Sequence, residues 1–243
     1  MDNMSFEFLR KRFDKLNGYY GKKGIAPQLS YLRIEENLEN GKGSYQFNLK
    51  KENLNRLVEN GLKRNDLFAT IGIGVFLRVE NSVKPGVNQL LSYAPIANKD
   101  ICKVGFNKDD INALYNGQLY ISTGTTVNLQ DTPVSLFRKI GQAQRGELCA
   151  AATSAGKQDQ FDFEQLIKKL PEELVFAGTQ DHTIKVEFPT FSGADYTSQA
   201  DYSGTAATAG VSKIVFVAYG WRVIGGTAEQ YRNDEANPYR TCI

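Results

Sequence analysis

The 243-residue sequence predicts a mainly β fold, a jelly-roll sandwich with an N-terminal amphipathic helix or arm and one or two inserted helices. Three observations predict it. Short runs of alternating or continuous apolar residues recur from residue 66 onward, turn residues separate them, and helical spacing is confined to the N-terminus and two later segments. The runs number about eight, as a two-sheet jelly roll requires.

In chain order, SFEFLRKRFDKL at 5–16 spaces Phe6, Leu9, Phe13 and Leu16 three or four apart, while Arg10, Lys11, Arg12 and Lys15 fall mostly elsewhere around the turn. This predicts a short amphipathic helix with a basic side. The glycine- and lysine-rich NGYYGKKGIAP then breaks the helix and reads as a linker or extended arm. SYQFNL at 44–49 suits an edge strand, and KKENLNRLVENGL places Leu54, Leu57, Val58 and Leu62 on one helical face. LFATIGIGVFLRVE is strongly strand-like, and GVNQLLSYA is a weaker strand after the Lys84-Pro85-Gly86 turn. Two more strands follow Asn116-Gly117, with a break at Gly124, before FDFEQLIKKL returns to helical spacing. ELVFAG (173–178), HTIKVEFP (182–189) and VSKIVFVAYGWRVIGG (211–226) restore the β pattern. Three parts are expected: an arm and linker over 1–43, the sandwich over 44–226, and a tail over 227–243.

Composition excludes several classes. Apolar residues make up 41% and charged residues 23%, ordinary globular usage. The 29 basic and 27 acidic residues nearly cancel, so no global field favours a phosphate backbone, and no specific nucleic-acid partner is expected. The N-terminus lacks the apolar core of a signal peptide, and no stretch approaches the roughly 20 apolar residues of a membrane span. Synthesis in a cytoplasm is the expectation. Cys102, Cys149 and Cys242 lie far apart, which fits reduced thiols better than a disulfide framework or a metal site.

Catalytic motifs are sparse. The single histidine, His182, follows Asp181 in a turn signal, with no nucleophile elbow elsewhere and no recognisable flank on any cysteine. Gly72-Ile73-Gly74 sits inside an apolar strand, and Leu77 stands where a dinucleotide fingerprint needs its third glycine; a bulge or close packing explains these glycines better. Gly156-Lys157 lacks the upstream glycine of a phosphate loop. The carboxylates Asp159, Asp162 and Glu164, and Asp195 with Asp201, lie in polar segments that suit solvated charges. Trp221 in its apolar strand reads as core. No catalytic residue, cofactor or metal is expected, and the chain is not expected to be an enzyme.

The insertion FSGADYTSQADYSGTAATAG at 191–210 is rich in Gly, Ala, Ser and Thr and repeats Ala-Asp-Tyr. Such a segment buries little apolar surface, which suits a surface loop that orders against a neighbour or ligand, with Tyr196 and Tyr202 as its ring faces.

The order of an N-terminal arm, YQFNLKKENLNRLVENGLKRNDLFATIGIGVFL, NGQLYISTGTTVNLQDTPVSLF, LPEELVFAGTQDHTIKVEFP and KIVFVAYGWRVIGG resembles jelly-roll virion proteins of bacteriophages, capsid-type subunits especially. The likeness spans most of 44–226. It implies a virion-located capsid or capsid-decoration subunit that assembles with copies of itself and other virion proteins. Phe6, Leu9, Phe13 and Leu16 would then anchor the arm in a neighbour's groove or on a membrane surface, although the same stripe would equally cover the chain's own sandwich. A carbohydrate- or receptor-binding module on the same scaffold is the competing expectation, its partner a host glycan or receptor met by Tyr196 and Tyr202.

Overall fold

The computed structural model describes residues 3–39, 41–50, 60–80, 90–91, 114–138, 167–188, 197–198 and 210–226. Among them, one helix, α1 (Asn3–Tyr20), precedes ten strands: β1 (Gln28–Asn37), β2 (Ser44–Phe47), β3 (Leu67–Glu80), β4 (Leu90–Leu91), β5 (Gln118–Thr123), β6 (Thr126–Pro133), β7 (Lys168–Ala177), β8 (His182–Glu187), β9 (Thr197–Ser198) and β10 (Gly210–Val223). The strands form two antiparallel sheets. One runs β1-β10-β3-β4, with β7 also on β3 and β9 on β10; the other runs β2-β8-β5-β6.

Strand alternation puts one face of each sheet against the other. Leu32 and Ile34 of β1, Phe68, Ile73, Val75 and Leu77 of β3, and Ile214, Phe216 and Ala218 of β10 meet Tyr45, Phe47, Leu119, Ile121, Ile184 and Val186 of the smaller sheet in one buried cluster. Phe47 and Phe216 join the layers with ring centroids 5.8 Å apart. Tyr115 crosses the core to donate its hydroxyl to Val75 O at 2.7 Å, so this buried phenol is satisfied. The architecture is a mainly β, sandwich-like fold with an N-terminal helix.

The larger sheet is buried on its second face as well. Leu67, Ala69, Ala177 and Val223 pack under Leu16 and Tyr20 of α1, and Phe76, Val215 and Val217 pack with Leu90 and Ile167. Burial on both faces explains why β3 and β10 read as nearly continuous apolar runs. The glycines of β3 serve this layer: a Cβ on Gly72 would lie 2.6 Å from Ile167 Cγ2 and from Lys168 O. The register shift between Thr70 and Gly72 against β7 is the irregularity expected beside such close packing.

Several sequence expectations meet a different structure. Residues 28–37, placed in the arm and linker, form β1, paired with β10 from Gln28↔Arg222 to Asn37↔Lys213. Arg33, Glu35 and Glu36 give the segment a polar reading, while Leu32 and Ile34 carry its core face. The helix does not break at Asn17-Gly18. It continues to Tyr20 because that ring is fully buried, and the chain reverses only after a short 3-10 turn, at Gly24 with φ +73°. The helix expected over FDFEQLIKKL is replaced at its C-terminal end by β7, which begins at Lys168. Ile167 and Leu170 are three apart, as on a helix face, yet Ile167 packs in the outer layer and Leu170 in the inter-sheet core. Residues 161–166 and 51–59, where most of the two expected inserted helices fall, lie outside the described residues.

Candidate functional site

Of the four expected arm anchors, the structure brings three to the outer face of the larger sheet. Leu16 is fully buried against Leu67, Ala69, Ala177 and Val223. Phe13 is half-buried, its ring centroid 4.9 Å from that of Trp221 and tilted by 53°. Leu9 is half-buried and lines an apolar depression with Ile71, Ile167, Lys169 and Tyr219. Phe6 lies on the backbone of α1, with its side chain outside the described residues. The stripe therefore covers the chain's own sandwich.

Arg12 and Tyr20 also belong to this stripe, which the apolar spacing alone does not show. Arg12, one of the charges expected on the basic side, is 8% exposed and donates to Thr70 O at 3.0 Å, the strand carbonyl beside the β3 irregularity. Its spacing is the signal, because Arg12, Leu16 and Tyr20 follow each other at four-residue steps. A guanidinium can cross an apolar seam when its stem packs and its head finds carbonyls. Burial raises the Tyr20 phenol well above its ordinary range, with Tyr19 adding to the effect.

Farther along the same sheet face lies a charge cluster. Glu35 is fully buried; Arg33 reaches its Oε1 through Nε at 3.0 Å and Nη2 at 2.7 Å, and Arg78 Nη1 meets its Oε2 at 2.6 Å. Lys213 Nζ is 3.9 Å from the same Oε2. The three cations converge on one carboxylate from β1, β3 and β10. The sequence scatters them across 180 residues, so only strand register assembles the group.

The edge of β1 is closed in its middle. Asn60 exchanges both backbone hydrogen bonds with Arg33 and donates its side-chain amide to Tyr31 O at 2.6 Å. Its Oδ1 accepts from Arg222 Nη1 at 3.2 Å, while Arg222 Nη2 donates to Gly61 O at 2.7 Å. Leu29 and Tyr31 remain exposed beside this plug, at 48% and 43%.

His182 has both ring nitrogens engaged, Nε2 with Ala177 and Nδ1 with Thr123 Oγ1 at 3.2 Å. The neighbouring Asp181 carboxylate pairs with Lys50 Nζ at 2.6 Å. Among the described residues, no group of three His, Cys, Asp or Glu side chains could hold a metal ion. No described helix is long and apolar enough to cross a membrane. Tyr196, Tyr202, the carboxylates at 159–164, Asp195 and Asp201, and all three cysteines lie outside the described residues. Comparisons with protein-family models, curated proteins and solved structures found no match to this chain.

Proposed function

We propose that the chain is a virion structural protein, a capsid or capsid-decoration subunit built on a jelly roll and assembled in many copies. Strand order is the observation that carries this reading. Setting aside the two-residue strands β4 and β9, the first long strand pairs with the last (β1 with β10), the second with the next to last (β2 with β8), the third with β7 and the fourth with β6. These four pairs are dealt alternately to the two sheets, β1-β10-β3-β7 and β2-β8-β5-β6. A long antiparallel ribbon rolled up gives this order, and the jelly roll so formed is an architecture of viral capsid and lectin domains. The step from architecture to role is an analogy of fold, joined to the segment resemblance in the sequence.

One further feature suits assembly. If α1 were exchanged onto the equivalent sheet of a neighbour, Leu16 and Phe13 would meet the same Leu67, Val223 and Trp221 surface, a low-cost route to association.

A second reading, a carbohydrate- or receptor-binding module, draws on the outer face of the smaller sheet. There Gln46, Lys185 and Tyr120 stand in one row across β2, β8 and β5, hydrogen-bonding groups beside a half-buried ring. Size-exclusion chromatography with light scattering, followed by negative-stain imaging, separates the two. Multimers or closed particles are expected. A strict monomer that binds a glycan and loses it on Tyr120→Ala would replace the first reading with the second.

A further inference from the structure

Three connections of the sandwich gather at one end: the stretch after β2 carrying Lys50, the β5–β6 hairpin at Gly124, and the β7–β8 turn. The last carries the chain from the larger sheet to the smaller one. The bonds that tie them to one another and to the segment entering β3 are specific. Gly124 N donates to Asp181 O at 2.8 Å, Gly178 N donates to Asp66 O at 2.9 Å, and Lys50 Nζ meets Asp181 Oδ1 at 2.6 Å. At Gly178 an added Cβ would strike the backbone carbonyl of Lys63, so the segment entering β3 closes on the turn without a gap.

His182 stands at the centre of this end. Its Nε2 is 2.7 Å from Ala177 O and 3.1 Å from Ala177 N. One nitrogen cannot serve both, and the shorter contact assigns the ring proton to Nε2, donating to the carbonyl. Nδ1 is then the acceptor for the Thr123 hydroxyl. Phe176 lies edge-on to the ring, centroids 5.1 Å apart, so one side of the imidazole meets hydrocarbon.

We propose that this end is a proton-operated latch, closed by neutral His182 and opened when the ring takes a second proton. That proton goes to Nδ1, which turns from acceptor to donor. Thr123 Oγ1 must then rotate its hydrogen away while already accepting from Asn128 Nδ2 at 3.1 Å. The ring acquires a full charge against Phe176. Two charged groups act on it: Asp181, which favours the cation, and Lys50, which opposes it and holds the Asp181 carboxylate in its own pair. Burial, the largest influence, keeps the imidazole below its ordinary value, ahead of the opposing Ala177 carbonyl. Opening frees the β5–β6 hairpin from the β7–β8 turn and loosens one of the connections between the two sheets. The inference stands independently of any assembly role.

Because the chain has one histidine, its imidazole Cε1–H resonance reports the titration directly. The expected midpoint lies below 6.5, and amide protection at Gly124 and Gly178, corrected for intrinsic exchange, should fall about tenfold or more between pH 7.5 and pH 5. In His182→Gln, which stays uncharged, the fall should vanish. Lys50→Met tests the same latch with the histidine in place and should move the midpoint upward. A midpoint at or above 6.5, equal loss of protection in wild type and His182→Gln, or an unmoved or lowered midpoint in Lys50→Met overturns the proposal.

Discussion

At the level of single side chains, the decisive positions are those where burial and charge coincide. Glu35 accepts from Arg33 and Arg78 with no exposure of its own, and Arg78 Nε is buried with no hydrogen-bond partner among the described residues. Removing one member of such a group leaves the others uncompensated, which costs about 3–5 kcal/mol. Glu35→Gln should therefore lower the denaturant midpoint substantially, whereas Glu39→Gln, in an exposed pair with Lys42, should change it little; equal effects would show that the cluster is dispensable. Leu16→Ala should cost about 2–5 kcal/mol by opening a cavity over Leu67 and Val223. The stripe through Leu9, Phe13 and Leu16 was legible in the sequence because spacing alone defines it. Glu35 was not, since its partners come from strands whose register no local pattern reveals.

At the level of strands and turns, the sequence disclosed strands wherever one residue in two is apolar or the whole run is. β3 and β8 fall within the expected segments for that reason, β10 begins one residue before its own, and β2 is an edge strand as read. β1 was hidden by its charged outer face, and the start of β7 by a helix-like spacing. Glycines follow the same logic. A Cβ at Gly220 would collide with Ala69 O at the register shift between β10 and β3, so Gly220→Ala should destabilise by several times the few tenths of a kcal/mol typical of surface changes. Gly18→Ala, with nothing near its Cβ in α1, should stabilise by about 0.5–1 kcal/mol. The β7–β8 turn adds a pH dependence with a definite sign. The folded-state value of His182 lies below the 6.5 of the unfolded chain, so its contribution is complete above pH 6.5 and is lost as pH falls from there through the folded value. Asp181 has its own lower window. Its carboxyl is held below 3.8 by Lys50, so that contribution disappears only as pH falls below about 4. Chemical denaturation across pH 4–8 should show the first loss in the wild type and lack it in His182→Gln.

At the level of the molecule, the helix and the sandwich form one packed body, and this changes what truncation should do. Removing residues 1–23 would uncover Leu67, Ala69, Val223 and Trp221 together, a contiguous apolar surface of the kind that drives association. The truncated protein should show a lower unfolding temperature and a tendency to aggregate, measured by calorimetry and light scattering; unchanged behaviour would mean that α1 adds nothing to the sheet it covers.

The position of β10 also bears on how the chain is made. The last long strand, Gly210–Val223, lies between β1 and β3, so the larger sheet has no centre until synthesis passes residue 223. β1 must wait for its partner through some 180 residues of chain, and pairings so distant in sequence form slowly. During that interval β1 and β3 present bare edges to solvent, the state in which nascent β proteins depend on chaperones. Nascent chains arrested before Gly210 should thus be digested readily by protease, and resistance should appear in a single step once β10 has emerged.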